Sequence, residues 1–558
     1  MNTTKHKSLA DRIIGASLVV GVAHILLKLT GFIQVKFAAY FLEPSIYEPV
    51  MVVAFTGVIN SLFLIGEEVI GPSFLTIFMK EKENKSEKAA WDYANVTFTF
   101  QSLCLLIVIA TIIIWPDFYI KLFTKWTEDE NPERYQLLRT SLRVLAPSLF
   151  FLSIGSTTYI LLNGYKKFFL AAFGDASTKI CIILGLAVGM RVFGFGIEAL
   201  FFGILVGSAA KVFTHLLGLR EKLRMLRPSF NWRNPAFQTM LVLMLPLFAG
   251  IIFAKVRDNF NNIYILTHID QPGVLMANDL GRKLSSTIQW LVPYALQIAL
   301  FPFLCELVSK DDRQKLGEIL STSCRLLLAV FVPGAVALAI LGMPISVLIF
   351  LGGKTGIELA SWAGISTACY CLVLPAAAVE CVLMQGSFAD QKTVAVTVIG
   401  ILSSMCSVLI SYLFIVIIGV EAQNALVVVA LGFVFSRYLK SIALALWLRR
   451  TTPMFPAIPT LVFLLKLALL AIAVGLVTWG VSTGVDAVLP DGISAAIADP
   501  TKTGEISRMR IIIRLAVAAV AGGVTFLAAG FVLRLEEPKQ MIRWTLGKAI
   551  AKISRSKS

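Results

Sequence analysis

The sequence predicts an all-α polytopic membrane protein of about fourteen transmembrane helices: two pseudo-symmetric six-helix lobes, then two additional C-terminal helices. Three observations predict it. First, 57% of the 558 residues are hydrophobic and only 15% are charged, whereas a soluble domain carries about 25% charged residues. Second, the apolar runs far exceed the ~10-residue strands of a membrane barrel. They match the roughly 20 apolar residues that carry a helix across a bilayer. Because lipid satisfies no backbone polar group, helices are the remaining choice. Third, short motifs recur at a near-constant offset along the chain.

The spans follow in order. The first, 13–42, carries His24, Lys28 and Lys36 around Gly31. A charge at that depth costs roughly 2.5–3.5 kcal/mol on insertion scales, which a simple anchor has no reason to bear. Lys5, Lys7 and Arg12 before this run resemble a signal peptide. The run continues past Lys28 with no small-residue cleavage site, so a retained helix is expected. The remaining spans are 47–79, 90–115, 134–163, 167–190, 196–219, 235–265, 274–308, 317–350, 358–387, 391–419, 423–448, 457–483 and 508–533.

Loop charge supports the count. With a cytoplasmic N-terminus, the inner segments hold 27 Lys and Arg residues and the outer loops hold 5. That asymmetry obeys the positive-inside rule and places both termini in the cytoplasm. It also disposes of nucleic acid as the reason for the net charge of +16, since the basic residues sit in short loops between hydrophobic runs.

The repeat divides the chain. Gly71-Pro72-Ser73-Phe74 ending the second span resembles Phe301-Pro302-Phe303 ending the eighth. Pro116 with Leu122-Phe123 is echoed by Pro344 with Ile349-Phe350, and Gly164 by Gln385-Gly386. The offsets lie between 222 and 230 residues. The expected domains are therefore 1–225 (N-terminal lobe), 226–450 (C-terminal lobe), 451–535 (two further helices) and 536–558 (a basic tail). Two-fold repeats enclosing a central site are a recurrent transporter plan.

Charges within the spans gather in the first two helices of each half: Lys28, Lys36, Glu67 and Glu68, then Lys255, Arg257, Asp258, Asp279, Arg282 and Lys283. Six are cationic and four anionic, which suits an anionic head group in a wet cavity. Local pairing, such as Asp279 with Arg282 or Lys283, is the competing account. Asp175, Lys179, Lys211, Glu380, Arg437 and Lys440 are more isolated, and snorkelling or helix pairing explains most of them. The eight cysteines lack zinc spacing and read as buried thiols. Gly353-Lys354-Thr355 lacks the upstream glycine of a phosphate loop. No metal or catalytic motif is present, so neither an enzyme nor a cofactor is expected.

Several stretches together resemble the MurJ/MviN family, lipid II flippases of the MOP exporter superfamily. They are Leu29-Thr30-Gly31-Phe32, Glu67 with Gly71 to Phe74, 265–283 leading into Leu300-Phe301-Pro302, 335–350, and 386–392. The resemblance implies a multi-pass protein of the bacterial inner membrane, multidrug exporters being more distant members of the superfamily. It further implies outward movement of undecaprenyl-diphosphate-linked peptidoglycan precursor by alternating access. The cavity residues expected from the charge pattern are Lys28, Lys36, Glu67, Lys255, Arg257, Asp258, Arg282 and Lys283; of these the resemblance carries over Lys28, Glu67, Arg257 and Lys283 or Arg282 beside it, and Gly31 with Pro72 or Pro302 are the candidate flex points. Lys28 stands where the family usually has arginine, and Gln34-Val35 and Leu62-Phe63 replace other family charges, so this cavity is poorer in arginine. Lysine offers charge without the bidentate fork of arginine. A monomer acting on a lipid-linked anion among membrane lipids is expected, with cell-wall synthesis proteins as candidate partners and the membrane potential or an ion as candidate energy source. The competing functions are flipping of an O-antigen or capsule precursor, drug antiport, and a membrane-embedded glycosyltransferase or scaffold.

Overall fold

The structure, a computed structural model, describes residues 27, 29–291, 300, 303–390 and 392–537. Helices account for nearly all of the regular structure, and the described residues contain no strand beyond one isolated bridge, Gly352–Thr355. Among the described residues ten helices are long and apolar enough to cross a membrane, or twelve if two pairs bent by 44° and 42° each count as one span. The chain is an all-α, multi-pass membrane protein. The first and eighth expected spans run over residues outside the described set.

Contacts divide the chain into two compact units, Met1–Met276 and Ala277–Ser558. Unit 1 contains α1 (29–41), α2 (Pro44–Asn84), α3 (Glu87–Ile114), α4 (Pro116–Phe123), α5 (Pro132–Gly164), α6 (Phe168–Met190), α7 (Glu198–Gly218) and α8 (Pro235–Asn259, continuing to His268). The helix α9 (Val274–Leu291) starts in unit 1 and continues in unit 2. Unit 2 adds α10 (Arg313–Ile340), α11 (Gly342–Phe350), α12 (Ile357–Cys371), α13 (Leu374–Ala389), α14 (Thr393–Ile418), α15 (Ala422–Leu448), α16 (Ala457–Val488), α17 (Ile493–Ala498) and α18 (Arg508–Val532).

In unit 1, α5 is the organising helix and packs against α2, α3, α6 and α7. Its C-terminal end meets an aromatic core. Phe74 stacks on Tyr93 at 5.5 Å between ring centres and meets Phe98 edge-on at 6.2 Å. Such offset and T-shaped pairs are the favoured geometries. In unit 2, Leu316, Leu320, Cys324, Leu374, Leu383 and Leu444 make the corresponding core from α10, α13 and α15.

Two departures from the sequence expectation have local causes. The stretch 317–350 reads as one span, yet the helix stops at Ile340 and α11 begins at Gly342. Leu341 has ψ near 0, and Gly342 packs so closely on α12 that an added Cβ would sit 3.0 Å from the Ala368 nitrogen. The second span is continuous through residue 72, and its break lies at Thr56–Gly57, after a π turn over Met51–Phe55. A Cβ on Gly57 would lie 1.8 Å from the Val52 carbonyl oxygen, so only glycine fits there.

Local structure repeats along the chain. The short helices α4 and α11 follow the third and ninth spans. Both α6 and α14 end in six π-helical residues, Gly185–Met190 and Leu413–Ile418, whose starts are 228 positions apart.

Candidate functional site

Downstream of the Gly57 break, α2 presents Ser61 and Glu68 two turns apart on one face. In α8, Lys255 and Asn259 are one turn apart. The Lys255 ammonium donates to Glu68 Oε1 at 2.7 Å, and Asn259 Nδ2 donates to Ser61 Oγ at 2.7 Å. These two bridges fix the antiparallel register of α2 and α8. Arg257 donates from Nη2 and Nε to its neighbour Asp258 at 2.7 and 3.1 Å. Glu67 makes no hydrogen bond or ion pair among the described residues, and the charges acting on it are those of Lys211, Asp175, Glu68 and Lys255. Lys36 is exposed and has no ion-pair partner among the described residues.

The candidates thus divide. Lys36, Glu67, Lys255, Arg257 and Asp258 belong to unit 1, whereas Arg282 and Lys283 belong to unit 2. Arg282 and Lys283 are half-buried on α9, without an ion-pair partner among the described residues. Their helix is seated by Gly281, where an added Cβ would meet Ser366 at 2.6 Å, and by Tyr370, whose hydroxyl donates to Asn278 Oδ1 at 2.9 Å. Lys28 and Pro302 lie outside the described residues. Gly31 lies against Lys179, whose ammonium would be 3.0 Å from an added Cβ and donates to the Leu27 carbonyl at 3.0 Å.

Sequence reasoning set aside the groups most deeply held. Lys211 on α7 is 2% exposed and salt-bridged to Asp175 on α6 at 2.6 Å. In unit 2, Glu380 on α13 accepts from Arg437 at 2.8 and 2.9 Å and from Lys440 at 2.7 Å. Helix pairing, rather than snorkelling, explains these residues. Glu48, fully buried at the start of α2, accepts the backbone N–H groups of Gly273 and Leu275 at 2.7 and 3.1 Å. It thereby caps α9, whose first-turn donors have no intrahelical partner. Its one sequence signal is an acid just behind Pro44 in an otherwise apolar stretch. An open apolar groove lined by Leu137, Val144, Phe201, Phe202 and Leu205 holds none of the candidate residues. Among the described residues no cluster of His, Cys, Asp and Glu could hold a metal ion.

A family model described as lipid II flippase MurJ matches residues 38–489. The chain belongs to this family. A probable lipid II flippase MurJ from Buchnera aphidicola subsp. Schizaphis graminum is 22% identical over 344 residues, 61% of this chain and 66% of the relative. The chain therefore aligns with just under two-thirds of that relative's length. The lipid II flippase MurJ of Burkholderia cenocepacia is 23% identical over 412 residues, 72% of this chain and 78% of the relative. Among solved structures, a lipid II flippase MurJ in an inward-closed conformation superposes with a TM-score of 0.69 over 93% of this chain and 99% of that one, at 16% identity. An inward-facing multidrug resistance MATE transporter of the MOP superfamily gives 0.61 over 76% and 94%, at 14% identity. Those likenesses establish a fold shared by MurJ and the wider superfamily.

Proposed function

We propose that this chain is a transporter, not an enzyme, and that it moves lipid II, a polyprenyl-diphosphate-linked peptidoglycan precursor, across the bacterial cytoplasmic membrane by alternating access. The observation that carries the reading is the MurJ family match over residues 38–489. The site chemistry agrees with it. Arg282 and Lys283 make no salt bridge among the described residues, and a diphosphate would offer them charge-assisted hydrogen bonds. Lys255 and Arg257 are held by Glu68 and Asp258 and would exchange those partners for phosphate oxygens. The lobes rock, with Gly31, Pro72 and Pro302 as flex points, both termini face the cytoplasm, and the protein works as a monomer beside the cell-wall synthesis proteins.

The test is complementation of a strain depleted of its own flippase. Wild-type protein should restore growth and expose lipid II at the outer face. The single variants Lys28→Ala and Arg257→Ala and the double variant Arg282→Ala/Lys283→Ala should insert at normal levels and fail to do either. Growth supported by all of them would remove the cationic site, and wild-type protein that exposes no lipid II would remove the substrate.

A further inference from the structure

Arg325 of unit 2 stands without a polar partner among the described residues. It lies on α10, twelve positions past Arg313, or about 18 Å along the helix. It forms no salt bridge there, and its Nε is buried without a hydrogen bond. Its guanidinium rests instead on the Phe463 ring of α16, with Cζ 5.4 Å from the ring centre. A snorkelling arginine carries its polar head out to water. Here part of the head is enclosed, and a buried donor left unbonded is costly.

Two further polar groups flank Phe463. Thr460 precedes it on α16 by three positions and Lys466 follows it by three, so each is its neighbour on the helix surface. The Thr460 hydroxyl is buried and has no hydrogen-bond partner. Lys466 is half-buried and pairs with no acid among the described residues. Buried polar groups nearly always have a partner, so Arg325 Nε and the Thr460 hydroxyl each call for one. Water would bond them and leave both cations unbalanced, whereas an anion meets both needs. Arginine in particular pairs bidentately with phosphate.

The acids of the adjoining elements do not fill this role. Glu380 on α13 is shared by Arg437 and Lys440, and Asp390 after α13 by Arg313 and Lys392. Glu318 lies two turns back from Arg325 on α10 and is exposed. Glu536 and Glu537 follow α18, and neither forms a salt bridge with Arg325 or Lys466. Arg325 also has no counterpart in unit 1. The positions 222 to 230 residues earlier, 95–103, hold no charge. The cation stands where α16, one of the two helices beyond the repeat, packs on α10.

Depth identifies the anion. Phe463 shares a cluster with Leu467, Leu470 and Leu535, and Leu533 packs against it. Leu533 and Leu535 come directly after α18, which ends at Val532. The ring is therefore level with the end of a membrane-spanning helix, where lipid head groups begin. Beside it α16 exposes Leu465, Leu469 and Leu476, an apolar path for acyl chains. Two cations suit a lipid of net negative charge, since a zwitterionic one brings its own ammonium.

We propose that Arg325, Lys466 and Thr460 bind the phosphate of an anionic phospholipid between α10 and α16. The site does not depend on the identity of the transported cargo. The test is native mass spectrometry of the purified full-length protein, delipidated and then titrated with phosphatidylglycerol or phosphatidylcholine. Wild type should retain one phosphatidylglycerol in preference to phosphatidylcholine. Arg325→Gln should weaken that binding by at least about tenfold, and Lys466→Gln should weaken it less. Arg325→Lys keeps the charge and loses the planar fork, so it should fall between wild type and Arg325→Gln. Phosphatidylglycerol should raise the melting temperature of wild type, because a ligand of the folded state stabilises it, and should not raise that of Arg325→Gln. Should Arg325→Gln fail to fold, Arg325→Lys and Lys466→Gln carry the same comparison. Equal retention by wild type and these variants, or equal binding of the two phospholipids, would overturn the site. Equal stabilisation of wild type by inorganic phosphate would overturn the lipid as its source. A third arm uses lipid II. Loss of lipid II binding in Arg325→Gln with phosphatidylglycerol binding intact would assign the site to the cargo and overturn the phospholipid.

Discussion

Glu380 shows what a single carboxylate does among helices. It is 5% exposed and holds two cations, Arg437 and Lys440. Removing the carboxylate strands both charges, and breaking a buried pair in this way costs about 3–5 kcal/mol. Glu380→Ala should therefore lower the melting temperature in detergent far more than Arg437→Ala, which leaves Lys440 still paired. Asp390, in the loop after α13, makes a second such case with a pH dependence. Burial raises its carboxyl pKa, but hydrogen bonds from Lys392 and Arg313 outweigh burial and hold it below the usual carboxylate range. The stabilisation is then complete above the unfolded value of about 3.9 and is lost as pH falls through the lower folded value. Asp390→Asn should lose stability at neutral pH, and its melting curves should change less than wild type on acidification below about pH 4. At this scale little was legible. Asp175 and Lys211 are 36 positions apart, and no local pattern says that α6 and α7 bring them together. Lys255 and Glu68 were visible as intramembrane charges, whereas their mutual bridge depends on the register of α2 against α8.

Among helices, glycine placement decides how closely backbones approach. Gly57→Ala pushes a methyl group into the Val52 carbonyl, a backbone atom that cannot yield. The expected loss is about 3 kcal/mol or more, read as reduced yield and a lowered unfolding midpoint. Gly66→Ala, nine positions on in the same helix, meets nothing within 4 Å. It should be neutral or stabilise the helix by about 0.5–1 kcal/mol. Sequence pattern placed the long helices well, because each is a long apolar run with a charged or proline-bearing end. It missed the break at Gly57 because proline, the usual marker of a kink, sits instead at residue 72 within continuous helix. The split at Leu341 escaped for a similar reason: apolar residues continue on both sides of it.

Across the whole chain, the asymmetry of loop charge yields a topology that labelling can check. In a cysteine-free background, cysteines placed at Asp129 and Thr501 should react with an impermeant thiol reagent on intact cells. Those placed at Glu83 and Arg224 should react only after permeabilisation, and the reverse pattern would invert the orientation. The fold class was legible at this scale because composition, run length and the repeat all derive from the bilayer and from duplication. The division into compact units at Met276 was not, since it falls inside an unbroken helix, α9, with no linker composition to mark it. Family membership was legible as an ordered set of weak motifs, none of them decisive alone.

The widened helical turns that close α6 and α14 carry a historical consequence. π-helical turns are rare and mostly single turns, and here one closes each of two helices at matching places in the repeat. Their starts are 228 positions apart, within the offset of the sequence repeat. If the two halves descend from one duplicated segment, that feature predates the doubling, and an unduplicated relative of either half should end the same helix in a π turn.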